Sequence, residues 1–442
     1  MGTIRNYLDK IKPAFSKNKY LHTTFDAIET FLFVPNHVTK GGVHIRDGMD
    51  LKRTMVHVVL AMQLCLLFGM YNVGHQHYTM LGMFQGVFEG FGPKLIYGIL
   101  QMLPMIIVVH IVGLGIEFIF AAKNGHAVEE GFLVTGMLIP LIMPPAIPLW
   151  IVAIATAFAV IIAKEAFGGT GMNILNIALT ARVFVFFAYP TYISGDQCWV
   201  AYDYNLLHQL VGLKAVSANF LAEHGMALKD LINDKGAFDP NLSKLVDGWS
   251  GATPLGLAAA GGWDAVTNYA YTVTDGQGMV ETIKPYTSST MLWGLIPGSI
   301  GEVSKPFAII GALILVVTGI ASWRVMFSML LGLITMGLII NAAAPGFPDN
   351  AFLAIPWYHH VLMGSFFFAM AFMATDPVTA ASTQTGKWIY GFAIGFIGLL
   401  VRVLNPAYPE GWMLAILFLN VFAPAIDHFV LQSNINKRLV RG

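Results

Sequence analysis

The sequence predicts an all-α integral membrane protein of about ten transmembrane helices, in two five-helix halves around an extracytoplasmic insert. Three observations predict it. Of the 442 residues, 56% are hydrophobic and only 11% charged, with mean hydropathy +0.65. A soluble domain carries about 25% charged residues, so most of this surface cannot face water. About ten long apolar stretches run through the chain, and one polar segment of roughly a hundred residues, 191–292, interrupts them midway.

Taking about twenty apolar residues as one crossing, the helices fall near 54–73, 95–121, 131–147, 149–167 and 175–191. A second set falls near 305–321, 325–342, 359–375, 387–404 and 411–430. The region 131–167 reads either as two short helices or as a re-entrant element. Its Pro140, Pro144, Pro145 and Pro148 free backbone groups that only surrounding protein can satisfy. The domains are then an N-terminal cytoplasmic segment 1–53, a first membrane half 54–191, a periplasmic loop 192–292, a second half 293–432 and a cytoplasmic tail 433–442.

Lys and Arg placement sets the orientation. Residues 1–53 hold nine such residues, from Arg5 to Arg53, and the tail holds Lys437, Arg438 and Arg441. Turns near 343–358 and 405–411 have none, whereas Lys123, Arg324 and Lys387 sit at turns on the basic side. Both termini are therefore expected in the cytoplasm. The segment 191–292 carries ten acidic residues against five lysines and no arginine, as an outside cap would. An echo of Ile174-Leu175-Asn176 at Val403-Leu404-Asn405 fits an internally duplicated bundle.

Zero formal net charge gives no reason to expect a nucleic-acid partner. Cys65 and Cys198 fall in unlike segments, which argues against a disulfide framework. The polar first fifty residues lack the apolar core of a cleavable signal. His75 and His77 read as an outside turn and His359-His360 as a helix start, with no facing pair to complete a haem or copper site. Acidic residues in apolar surroundings are functional candidates: Glu117, Asp376 and Asp427. Glu165 lies beside Lys164 at the wrong helical angle for pairing and reads as an interfacial charge. Ser250-Gly251-Ala252-Thr253 offers small residues and a hydroxyl in the outside segment.

Several further blocks carry a resemblance. They include Arg46-Asp47 with Asp50-Leu51-Lys52-Arg53, Gly69-Met70-Tyr71-Asn72, Ala163-Lys164-Glu165-Ala166-Phe167-Gly168-Gly169-Thr170-Gly171 and Phe186-Phe187-Ala188-Tyr189-Pro190. Later come Ser250-Gly251-Ala252-Thr253, Ile296-Pro297-Gly298-Ser299-Ile300-Gly301-Glu302, Met373-Ala374-Thr375-Asp376-Pro377 and Asn405-Pro406-Ala407-Tyr408-Pro409-Glu410-Gly411. In that order they resemble the B-subunit family of the Na+-translocating NADH:quinone oxidoreductase (Na+-NQR), over nearly the whole length.

The resemblance implies a membrane subunit of a six-subunit, redox-driven Na+ pump in the bacterial inner membrane. It implies FMN joined to Thr253 by a phosphoester, within Ser250, Gly251 and Ala252, and attached by a periplasmic flavin transferase. It implies riboflavin near Gly169, Thr170, Asn173 and Asn176, quinone near Gly113, Glu117 and Phe132, and Na+ near Asp26, Glu117, Asp376 and Asp427. No Gly-x-Gly-x-x-Gly after a strand and no iron–sulfur cysteine set is present, so NADH oxidation belongs to another subunit. Three departures stand out: Leu114 after Gly113, Ile177 after Asn176, and Pro254 after Thr253, which biases the threonine to an extended conformation. Residues 200–245 read as an amphipathic insertion that contacts a partner. Two rival readings are the D-subunit of the Rnf ferredoxin-linked complex and a cofactor-free secondary ion transporter.

Overall fold

The computed structural model describes residues 10–13, 25, 29, 51–81, 84–124, 131–201, 207–208, 246–247, 250–274, 280–348, 350–405 and 411–440. The insertion at 200–245 and Asp26 therefore lie almost wholly or wholly outside the described residues.

The first apolar group comprises α1 (Leu51–Met80), α2 (Phe91–Asn124), α3 (Phe132–Ile142), α4 (Leu149–Phe167) and α5 (Ile177–Ala188). The polar segment contributes α6 (Pro254–Asn268) and α7 (Ser288–Trp293). The second group comprises α8 (Lys305–Val317), α9 (Trp323–Ala343), α10 (Trp357–Leu362), α11 (Phe366–Phe368), α12 (Gln384–Leu404) and α13 (Trp412–Leu439). A π-helical turn, Ala369–Met373, continues α11.

Six helices are long and apolar enough to cross a membrane: α1, α2, α4, α9 with its continuation to Gly346, α12 and α13. The chain is a multi-pass membrane protein. The other apolar stretches are shorter or broken. α3, α5 and α8 have 11, 12 and 13 residues, and at about 1.5 Å per residue none spans a hydrocarbon core of about 30 Å. The stretch expected as one helix over 359–375 is α10 and α11, separated at Met363–Ser365.

The breaks have local causes. Pro140 sits near the end of α3, and Met143 beyond it is extended. The freed groups are met by another irregular segment, since Gly301 N donates to the Leu141 carbonyl at 2.7 Å. Asn72 Nδ2 donates to the Ile296 carbonyl at 2.9 Å, and Gln101 Nε2 to the Pro145 carbonyl at 3.0 Å. Irregular backbone is thus buried in protein, as a membrane interior requires.

α9 and α12 pack through small residues. A Cβ on Gly395 would strike the Met329 carbonyl, and one on Gly391 the Ser328 hydroxyl. Such close backbone approach is how apolar helices associate in lipid.

The all-α expectation needs correction in the polar segment. A three-stranded antiparallel sheet forms there, in order β1 (Val246–Asp247), β2 (Tyr271–Thr274), β3 (Val280–Ile283). Tyr271 pairs with Ile283 and Thr274 with Val280. Side chains tie this cap to the bundle: Trp263 stacks on His359 with ring centroids 3.6 Å apart, and Tyr271 Oη donates to Gln85 Oε1 at 3.3 Å.

His75 and His77 require a second correction. They lie inside α1, buried, and not in a turn. His77 Nδ1 donates to the Ala201 carbonyl at 2.8 Å and its ring stacks on Tyr97 at 3.8 Å. Partners of this kind let α1 continue past its apolar run.

Gly395→Leu should separate α9 from α12 at a cost of about 1–3 kcal/mol or more, as overpacking does. A size-exclusion thermal melt in detergent should show a lowered midpoint, while Leu338→Ala, on the exposed side of α9, should leave it unmoved.

Candidate functional site

Two clefts lie at opposite ends of the same helical segments. The first, on the cap side, is lined by Thr253, Leu255, Ile296–Ser299, Glu302, Val303, Lys305 and Met363–Ser365, and encloses about 360 Å³ counted out to its open mouth. The second, on the far side, is lined among others by Thr170, Asn173, Asn176, Lys164 and Asp376, with about 790 Å³ on the same basis. α8 begins at the first with Lys305 and reaches the second with Leu315. Ten residues of helix separate those positions, or about 15 Å. α11 and the turn after it repeat the relation: Ser365 precedes α11 at the first cleft, and Ala371, Phe372 and Thr375–Val378 beyond it reach the second.

Thr253 is the N-cap of α6, extended at φ −75° and ψ 152°, as Pro254 behind it dictates. Its Oγ1 accepts from Gly256 N at 3.0 Å. A helix N-terminus presents unpaired N–H groups and a partial positive charge, so this oxygen sits where an anionic substituent is favoured. The residues before it are pinned. Ser250 N and Oγ lie 3.0 and 3.3 Å from Tyr269 Oη, and Ala252 N donates to Ser250 Oγ at 3.3 Å. Gly251 has φ +72°, a left-handed conformation that favours glycine. The Tyr286 hydroxyl donates to the Ala252 carbonyl. Burial holds that phenol well above its ordinary range, so it remains a donor across the physiological pH scale. Burial also raises the Asp196 carboxyl.

The far-side cleft is built by the turn between α4 and α5. Gly168, Gly169 and Gly171 all have positive φ, at +114°, +97° and +87°. The turn folds Thr170 inward, where its buried Oγ1 makes no hydrogen bond among the described residues. Asn173 Nδ2 donates to the Leu175 carbonyl at 3.2 Å. Asn176 caps α5 through Oδ1, which accepts from Leu179 N at 3.1 Å, and its Nδ2 donates to Asp376 Oδ2 at 3.2 Å. Asp376 also accepts from Val378 N and Thr379 Oγ1, each at 3.1 Å. Residues two hundred positions apart thus meet, joining the expected flavin and cation groups in one cleft.

Glu117 does not line this cleft. It is buried behind Lys164, which does, and the two form a short ion pair. Glu165 is not the partner of interest; the lysine beside it turns to α2. Gly113 and Phe132 meet directly, since a Cβ on Gly113 would strike the Phe132 ring. Asp427 stands apart. Its Oδ2 accepts from Ser382 N at 2.6 Å and its Oδ1 from Thr383 N at 3.0 Å and Thr383 Oγ1 at 2.5 Å, which holds the start of α12. Sequence reasoning misses four participants: Lys164, Arg182, Glu302 and Lys305. Arg182 Nη1 donates to Glu302 Oε2 at 2.8 Å and Nη2 to Ser299 Oγ at 3.2 Å. A charged residue in an apolar run, such as Arg182 in α5, is the available signal.

Comparison with known proteins adds the family. Residues 38–436 match the model of the NQR2, RnfD, RnfE family. The chain belongs to that family. It is 42% identical over 461 aligned positions to the protein of Ectopseudomonas mendocina named as the B-subunit of Na(+)-translocating NADH-quinone reductase, with 99% of each chain covered. It is 40% identical to the protein of that name from Pseudomonas aeruginosa, again with 99% of each covered. For the Chromohalobacter salexigens protein of that name, identity is 40%, with 99% of this chain and 96% of the relative covered.

Removing one member of a buried ion pair leaves the other uncompensated, at about 3–5 kcal/mol. Lys164→Met should therefore lower the thermal midpoint sharply, and the double substitution Glu117→Gln with Lys164→Met should recover most of the loss. Equal melting of the single and double variants would show that the pair carries no coupling.

Proposed function

We propose that this chain is the membrane subunit of a redox-driven Na+ pump that carries electrons from covalent FMN through riboflavin to quinone, coupled to Na+ export. The observation that carries the reading is the pair of clefts at opposite ends of α8 and α11, one beside Thr253 and one around Asn176 and Asp376. Full-length likeness to proteins named as the B-subunit of Na(+)-translocating NADH-quinone reductase supports it.

The residues present fit both flavins. Thr253 supplies the ester oxygen, with Gly256 N and the α6 N-terminus favouring phosphate, and the small Ser250, Gly251 and Ala252 let a bulky planar group come close to the backbone. At the far side, Thr170 and Asn173 offer hydrogen-bonding groups to a flavin's polar edge, and the Thr170 hydroxyl has no hydrogen-bond partner among the described residues. Bound there, the flavins would supply reversible electron storage, and the protein sets their position and potential. Gly113 and Phe132, with Glu117 one turn along α2, border the quinone region in this reading. Asp376 offers the hard oxygen that Na+ prefers, and Asn176 orients it.

In this reading the protein lies in the bacterial inner membrane as two five-helix halves, with both termini cytoplasmic. It assembles into a six-subunit complex, and a periplasmic flavin transferase modifies Thr253. The names of the full-length relatives favour the quinone reductase over the Rnf complex and its D-subunit. A cofactor-free transporter would leave the cleft beside the helix-capping Thr253 without a use.

Denaturing gels of the purified subunit should show a flavin fluorescence band that Thr253→Ala abolishes, with the FMN mass on the peptide bearing Thr253. Acid extraction should release one flavin and leave one bound; no retained flavin would sink the proposal. Asn176→Ala removes a group that orients Asp376, and such changes cost about 10–100-fold in metal affinity. The Na+ concentration for half-maximal turnover should rise by about that factor.

A further inference from the structure

The cap-side cleft contains a cation that the preceding reading does not use. Lys305 lines it and is 1% exposed. An ammonium has three donors, and the described contact, to the Val303 carbonyl at 2.8 Å, uses one. Among the described residues Lys305 forms no ion pair. The carboxylate acting on it is Glu302, which already accepts from Arg182. A second buried cation, Arg402, also acts on Lys305 and backs the cleft wall, since a Cβ on Gly364 would strike its guanidinium. Arg402 itself donates to the His360 carbonyl at 2.5 Å and lies over the Trp412 ring at 4.8 Å. Asp196 approaches Gly256 near Thr253, but it is exposed and does not line the cleft.

A buried ammonium without a counter-charge is expensive and persists where something negative joins it. Thr253 opens into the same cleft, and an electron placed there without a proton adds one negative charge.

We propose that Lys305, backed by Arg402, sets the electron affinity of the flavin held at Thr253, as the fixed cation that balances the charge gained on reduction. This rests on the flavin assignment made above. The electron comes from the NADH-oxidising part of the complex and leaves toward the far-side cleft, and the negative charge arriving on the flavin favours the protonated form of Lys305. Glu302 works in the opposite sense, so the two residues give the cleft a tunable balance.

The test is a spectroelectrochemical titration of the purified whole complex, with the wild type minus Thr253→Ala difference isolating the flavin concerned. Lys305→Met should shift its potential to more negative values, Lys305→Arg should restore it, and Glu302→Gln should shift it to more positive values. A purely structural role would not move the potential in opposite directions for opposite charges. Fluorescent variants whose potentials coincide with wild type overturn the proposal. If Lys305→Met fails to assemble, Glu302→Gln decides alone, and an unchanged or lowered potential overturns it. Absence of a covalent flavin from the wild type takes down the functional reading and this inference together.

Discussion

A guanidinium cannot shed its proton inside a protein, so Arg182, buried in α5, has to be held by something anionic. Glu302 and Ser299 hold it. That contact fixes α5 against the irregular segment 296–304, and both clefts are consequences. Six residues before Arg182, Asn176 forms part of the far-side wall; Ser299 and Glu302 form the floor on the cap side. One buried pair therefore sets the relation between the two sites.

The broken helices follow the same logic. Inside a membrane, irregular backbone survives only against protein or along a cavity. Here the segment after α3 and the segment before α8 supply each other's missing partners, and the second of them lines the cap-side cleft. The prolines that shorten α3 and the glycines that turn the chain at 168–171 place irregular backbone and polar side chains at the ends of short helices. Full-length helices on the outside, such as α2 and α13, leave that interior undisturbed.

Much of this is legible in the sequence. The apolar stretches, the polar cap and the extended Thr253 ahead of Pro254 follow from composition and local sterics. The meeting of Asn176 with Asp376 is not legible, because a contact across two hundred residues leaves no periodic trace. Helical angle rules out Glu165 as the partner of Lys164 beside it, but local sequence gives no sign that the partner is forty-seven positions earlier in α2. Polarity alone puts His75 and His77 in a turn, although tertiary partners carry α1 through to Met80. The small sheet does have a signal. Tyr271–Thr274 and Val280–Ile283 are each rich in β-branched residues, which favour a strand.

The role of Thr253 in holding α6 has one more consequence. In its described bond the side-chain oxygen only accepts a hydrogen bond from Gly256 N, and the hydroxyl's own hydrogen takes no part. A substituent that replaces that hydrogen leaves the first turn of the helix tethered as before. Substitution on that oxygen would therefore be compatible with the fold, and it could come after folding without unravelling what folding made.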